Sequence, residues 1–136
     1  MMVIVDASVW SLALRSGKQS SSLPVQELRN LIHDHRVQVL GPIRQEILSG
    51  IRDETQFRKL QKHLESFPDL LILSEDYVNA AKFFNVCRSK GIQGSNTDFL
   101  ICSVAVRNKF SIYTTDRDFE PFSKHLPIVL HKPDGL

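Results

Sequence analysis

Cysteine is scarce in this chain of 136 residues: only Cys87 and Cys102 occur, each inside a helix-like stretch and with no second thiol or histidine at metal-ligand spacing. That excludes a disulfide scaffold and a thiolate zinc site, and both are read as reduced core residues. Charge of one sign is also lacking. Seventeen Lys and Arg against fifteen Asp and Glu leave a net charge of +2, so no overall basic field marks a nucleic-acid binder, and any anionic partner must be held locally. No apolar run approaches the ~18 residues that a membrane span requires. The amino terminus, "MMVIVD", shows neither a basic leader nor a long apolar region, so a soluble, cytoplasmic protein is expected. Internal repeats, low-complexity tracts and linkers are missing, and 136 residues at 42% hydrophobic content suit one domain spanning 1–136 with a real core.

What is present alternates between short apolar runs and longer amphipathic stretches. Val3 to Val5 is a continuous β-branched run, as in a parallel strand buried on both faces, and it stops at Asp6. The polar segment "RSGKQSSS" reads as a surface loop leading to Pro24 at a helix start, with Val25, Leu28, Leu31 and Ile32 as the buried stripe. "VQVLGP" predicts a second strand, and Pro42 opens a short helix carrying Ile43, Ile47 and Ile51. Phe57, Leu60, Leu64 and Phe67 give the next helix its apolar face, with Pro68 as its stop before a strand over Leu70 to Leu73. Ser74 is placed as the cap of a helix through Tyr77, Ala81, Phe84 and Cys87, ended by Gly91 in the left-handed conformation. "SNTDFLICSVAVRN" supplies one more helix, followed by strands over Phe110 to Thr114 and "PIVLH". Strands separated by helices predict an α/β domain with a mainly parallel central sheet and helices on both faces.

In such a sheet the ligand crevice lies outside the carboxyl ends of the strands. Asp6 ends the first strand and Asp116 follows the strand that starts at Phe110, so the two share one edge. Asp98 has two readings that weigh evenly. With Ser95 it forms the Ser-x-x-Asp pattern of a capping box, yet it also shares a helical face with Ile101, Cys102 and Ala105, where an uncompensated carboxylate is expensive. Glu46 lies beside the Ile47 stripe and reads either as a solvated helix residue or as a fourth acid of the group. Four carboxylates in one place raise one another's pKa and persist only with a compensating cation. With no His or Cys among them, the oxygen set favours Mg²⁺ or Mn²⁺, and an activated water there suits phosphodiester hydrolysis.

"VIVDASVW", the Glu of "PIRQEIL", the Asp of "SNTDFLICSVAV" and the closing "TTDRDF" together resemble the PIN domain, most closely the VapC-type ribonuclease toxins of toxin–antitoxin pairs. The likeness spans nearly the whole chain. It implies a Rossmann-like, three-layer PIN fold, Mg²⁺- or Mn²⁺-dependent endoribonuclease activity on RNA, homodimers, and inhibition by a cognate VapB-type antitoxin. Asp6, Glu46, Asp98 and Asp116 match the family's acidic quartet. Asp118 matches a further acidic position, which in some members holds metal and in others orders the loop; here it is read as support for Asp116. Ser8 and Thr114 match small hydroxyl positions lining the pocket. Many relatives carry Thr where this chain has Ala7, a departure that touches no proposed ligand.

RNA must still reach an acidic edge. Arg58, Lys59 and Lys62 on one helix, and Arg15, Lys18, Arg44, Arg88 and Lys90 near loops, are candidates to neutralise phosphates, beside the reading that most are ordinary solvated charges. Trp10 reads as core or dimer contact ahead of a base-stacking role. His33 and His35 end a helix while His63, His125 and His131 are scattered, which gives a metal-free, His-dependent mechanism little support. A haloacid-dehalogenase-type phosphatase would need an Asp where Ser8 stands, and a receiver domain would need adjacent acids near the first strand. A catalytically inactive PIN-like module would be marked by loss of an acid, and all four are present. A housekeeping PIN nuclease without an antitoxin is the remaining alternative.

Overall fold

Val3–Val5 forms β1, the middle strand of a parallel sheet ordered β2-β1-β3. A computed structural model describes residues 1–14 and 22–133 of the chain. β2 is Val37–Gln38 and β3 is Ser111–Tyr113, with Val3 opposite both Val37 and Ser111 in register. All three residues of β1 are fully buried, as a strand covered on both faces demands; each such side chain stabilises the fold by about 1.5–3 kcal/mol relative to exposure.

Seven helices flank the sheet among the described residues: α1 Ala7–Leu14, α2 Leu23–His33, α3 Gly41–Leu48, α4 Glu54–Leu64, α5 Ser74–Ser89, α6 Asn96–Asn108 and α7 Phe119–His125. Two of these, α1 and α7, lie where the sequence pattern predicts no helix. α1 starts directly off β1, with the Asp6 carbonyl accepting from the Val9 amide at 3.1 Å, so no loop residues announce it. α7 contains Pro121 in its first turn, where the missing N–H has no intrahelical partner to lose.

Two expected strands shrink to single parallel bridges, Val39 with Asp69 and Ile112 with Leu130. In the first, the Leu71 carbonyl accepts from Arg107 Nη2 at 3.0 Å rather than from a neighbouring strand, and Leu71 is 71% exposed. In the second, Pro127 and Pro133 bracket the segment and offer no N–H to extend the ladder. These bridges still widen the parallel layer at both edges. Ile51 lies beyond the end of α3, and α4 ends at Leu64, short of Phe67 and Pro68. Phe67 instead packs edge-on against Trp10, their ring centroids 5.4 Å apart, and Trp10 is a core residue at 2% exposure.

The cap of α5 is Leu73 rather than Ser74: the Leu73 amide donates to Asp76 Oδ2 at 2.8 Å. Gly91 follows α5 at φ +74°, the left-handed turn expected of it. Cys87 and Cys102 are both buried free thiols. Among the described residues no helix is long and apolar enough to cross a membrane.

Candidate functional site

Asp6 stands at the carboxyl end of the central strand and is only 6% exposed. A buried carboxylate needs partners, and it has two hydroxyls: Ser8 Oγ donates to its Oδ2 at 2.9 Å and Thr114 Oγ1 to the same oxygen at 2.8 Å. The hydroxyl directions are set by backbone. The Thr115 amide donates to Ser8 Oγ at 3.1 Å, and the Asp116 amide to Thr114 Oγ1 at 3.0 Å. Each hydroxyl therefore accepts from an amide and has its one proton left for Asp6. The turn after β3 is thus clamped to the end of β1, and the Asp116 backbone is tied to Asp6 through Thr114.

Asp98 sits in the first turn of α6, and both halves of its capping box exist: the Asp98 amide donates to Ser95 Oγ at 3.0 Å, and the Ser95 amide to Asp98 Oδ2 at 3.3 Å. Its carboxyl nevertheless titrates above the usual range. Burial is the main cause, the Ser95 hydrogen bonds oppose it, and the negative charges of Asp6 and Asp116 add to it. The capping box is formed, and the same carboxyl also feels the charges of Asp6 and Asp116. Glu46, near the end of α3, is an exposed residue in the sense of the solvated reading. Its carboxyl is also pushed up, first by desolvation and then by Asp6, Asp98 and Asp116. One side chain feeling three others means that acids from β1, α3, α6 and the turn after β3 face a common space. A cleft of about 450 Å³ runs along the Glu46 and Asp98 side, with Gln45, Ser49 and Thr97 on its walls.

Asp118 behaves differently. Its amide donates to Asp116 Oδ1 at 2.9 Å, so its backbone orients the Asp116 carboxylate. Its side chain is exposed and is no source of the shifts at Glu46 or Asp98. Cys102, one turn beyond Asp98, is a fully buried core residue. Burial is the main cause holding its thiol well above the ordinary range, and Asp98 and Asp6 add to that. The signal for its proximity was the four-residue spacing from Asp98.

Among the described residues, no three acidic, His or Cys side chains are drawn tightly enough together to form a ready cation cage. The donor chemistry itself fits a hard divalent ion: the four acids offer only oxygen, and among the described residues no salt bridge compensates any of them.

Three of the basic residues singled out from sequence, Arg44, Arg58 and Arg88, are engaged elsewhere. Arg15 and Lys18 lie outside the described residues. Arg44 donates to Asp69 Oδ1 and to the Leu64 carbonyl, each at 2.9 Å, and to the Phe67 carbonyl, so it ties down the exit of α4. Arg58 pairs with Glu54 one turn earlier, and Arg88 lies over the Phe84 ring, 5.3 Å from its centroid. Lys59 lines a separate groove with Leu14, Ile51, Leu60 and His63, in which none of the acids takes part. Lys62 and Lys90 are exposed.

The chain is 28% identical over 127 residues to VapC ribonuclease Mb1587 of Mycobacterium bovis, covering 90% of this chain and 92% of that one. Ribonuclease VapC11 of Mycobacterium tuberculosis shows the same identity and coverage. Among solved structures, the fold matches a chain of the FitAcB crystal structure from Neisseria gonorrhoeae with a TM-score of 0.74 at 18% identity, covering 99% of this chain and all of that one. It also matches a chain of VapBC2 from Rickettsia felis bound to a promoter DNA fragment, with a TM-score of 0.72 at 15% identity over 98% of this chain and all of that one. The family model for the PIN domain matches residues 3–124, and this chain belongs to the PIN-domain family.

Proposed function

We propose that the chain is a divalent-metal-dependent endoribonuclease and the toxin of a VapB–VapC-type toxin–antitoxin pair. The observation that carries the reading is the buried Asp6, locked by Ser8 and Thr114, with Glu46 and Asp98 both feeling its charge and that of Asp116. The named VapC ribonucleases, alike along nine-tenths of the chain, support the substrate class. Family membership leaves the phosphatase and receiver readings without support.

In this reading Asp6, Glu46, Asp98 and Asp116 hold Mg²⁺ or Mn²⁺, and Asp118 acts through its amide on Asp116. A bound ion would supply positive charge, the chemistry that lowers the pKa of water and offsets charge on the phosphate. The protein's part is orientation. Ser8 and Thr114 fix the Asp6 rotamer, the Ser95 box fixes Asp98, and the Asp118 amide fixes Asp116, so little reorganisation remains when substrate arrives. A VapB-type antitoxin is the partner, supported by the VapBC and FitAcB complexes among the structural neighbours; it silences the enzyme by covering the acidic edge, and the toxin works as a homodimer.

Purified protein incubated with single-stranded RNA tests this. Cleavage with Mg²⁺ or Mn²⁺, none in EDTA, and products with 5′-phosphate and 3′-hydroxyl ends are expected, because water and not the ribose 2′-hydroxyl attacks. Cyclic-phosphate ends, or equal activity in Asp6→Asn, would overturn it. An inactive PIN-like module would bind RNA without cutting it, and a housekeeping nuclease would cut without arresting growth on expression.

A further inference from the structure

Four carboxylates repel a polyanion, and the chain's net charge of +2 cannot overcome this at a distance. Positive charge beside the acids is required, and Arg44, Arg58 and Arg107 are already committed to protein partners. A second depression, about 270 Å³ and separate from the Glu46 cleft, shares Thr114 and Asp116 with the site. Arg117 and Lys132 line it, and neither forms an ion pair among the described residues.

The two cations come from unrelated parts of the chain. Arg117 is placed by the clamped turn after β3, between Asp116 and Asp118. Lys132 is placed by the carboxyl-terminal segment, where the His131 amide donates to the Ile112 carbonyl at 2.7 Å and the His131 ring pairs with Glu27 at 2.7 Å. That segment is therefore anchored on both its backbone and its side-chain face immediately before Lys132. Thr115 adds a hydroxyl. Glu120 also lines the depression and opposes the two cations.

We infer that Arg117 and Lys132 hold the phosphodiester adjacent to the one being cut, so that the RNA backbone enters the acidic edge from the β3 side. The inference rests on the ribonuclease reading and extends it to two binding residues. Such contacts position the strand without reading its sequence. Glu120 weakens the grip, which favours release of an anionic product.

The test uses an oligoribonucleotide that the wild type cleaves, with methylphosphonate replacing one linkage at a time. Neutralising one linkage beside the cut should lower wild-type kcat/KM about tenfold, the scale of one charge-assisted hydrogen bond. Arg117→Gln/Lys132→Gln should start about tenfold lower and lose nothing more at that linkage. Equal losses in both proteins at every linkage overturn the inference while the ribonuclease reading stands. Binding of the same oligonucleotide in EDTA is the second measurement. The double variant should bind more weakly, with the slope of log K against log salt reduced by about 0.7 for one lost phosphate contact, whereas Glu120→Gln should bind more tightly. Those binding effects without any cleavage by wild type would keep the two residues as an RNA site and remove the ribonuclease reading; no effect on binding or cleavage removes the inference.

Discussion

At the scale of the residue, Asp98 has two jobs whose energies oppose each other. The capping hydrogen bond to the Ser95 amide stabilises α6, while burial beside Asp6 and Asp116 penalises the same charge. Asp98→Asn retains an acceptor for Ser95 and removes the charge, so without metal it is expected to be more stable than wild type. Asp98→Ala loses the acceptor as well and should fall below Asp98→Asn by about 0.5–1 kcal/mol. Mn²⁺ should raise the melting temperature of wild type by binding the folded state, and both variants should lose that rise. Thermal unfolding of the three proteins in EDTA and in Mn²⁺ measures all of this, and an undiminished Mn²⁺ shift in Asp98→Asn would take Asp98 out of the site. Asp118 is a second lesson at this scale. Its contact with Asp116 is made by its amide, so Asp118→Asn should leave the turn intact.

At the scale of the element, α6 must be held in place for Asp98 to face Asp6, and two features do that. Asp76 at the start of α5 is fully buried and receives Arg107 of α6 through two hydrogen bonds, Nε to Oδ1 at 2.7 Å and Nη2 to Oδ2 at 2.9 Å. The Ser103 hydroxyl adds a bond to the Asp76 carbonyl at 2.8 Å. Arg107→Met strands a buried carboxylate and is expected to cost on the order of 3–5 kcal/mol in urea unfolding, much of it recovered in Arg107→Met/Asp76→Asn. A cost under ~1 kcal/mol would show that the pair is solvated like a surface bridge. At the other end, Gly94 precedes the Ser95 cap, and a Cβ there would stand 2.5 Å from Phe122 Cζ and 2.9 Å from the Phe99 ring. These rings pack with centroids 4.7 Å apart. Gly94→Ala should therefore destabilise by about 1–3 kcal/mol through overpacking, and nuclease activity should drop further than the unfolded fraction explains, since α6 carries Asp98.

At the scale of the whole molecule, the acidic edge makes metal-free stability depend on pH in an unusual direction. Glu46 and Asp98 have carboxyls raised in the folded state, so the folded protein binds more protons and stability grows as pH falls through their titration. Asp76 has the opposite sign: Arg107 holds its carboxyl below the ordinary value of 3.8, so its contribution is present above that value and is lost as pH drops below it. In EDTA, stability should rise from neutral pH into the mildly acidic range and collapse below about pH 3.8. Excess Mn²⁺ should invert the first limb, because the cation competes with protons for the same carboxylates. Melting temperatures across pH with and without Mn²⁺ check both limbs; a flat metal-free profile above pH 4 would contradict mutual repulsion among the four acids.

Local residue chemistry was enough to determine much of this protein. A β-branched run ending in Asp, proline-opened helices, the Gly91 stop and the ordered set of acidic motifs are all legible along one dimension, and they led to the parallel α/β class and to the PIN family. Short-range hydrogen bonding and side-chain period carry that information, so position in space is not needed to read it. Tertiary structure decided the rest. "LLIL" looks like a strand, but Arg107, thirty-odd residues away, satisfies the Leu71 carbonyl and ends the ladder after one bridge. Arg44 looks like a surface cation until α4 ends at Leu64 and offers it carbonyls. Whether Asp98 caps or joins the acids depended on where α6 lies against β1, and the pairing of Arg117 with Lys132 exists only because the carboxyl-terminal segment returns to β3. Each of these turns on which groups the assembled fold brings together from distant parts of the chain, and that juxtaposition is a property of the tertiary structure.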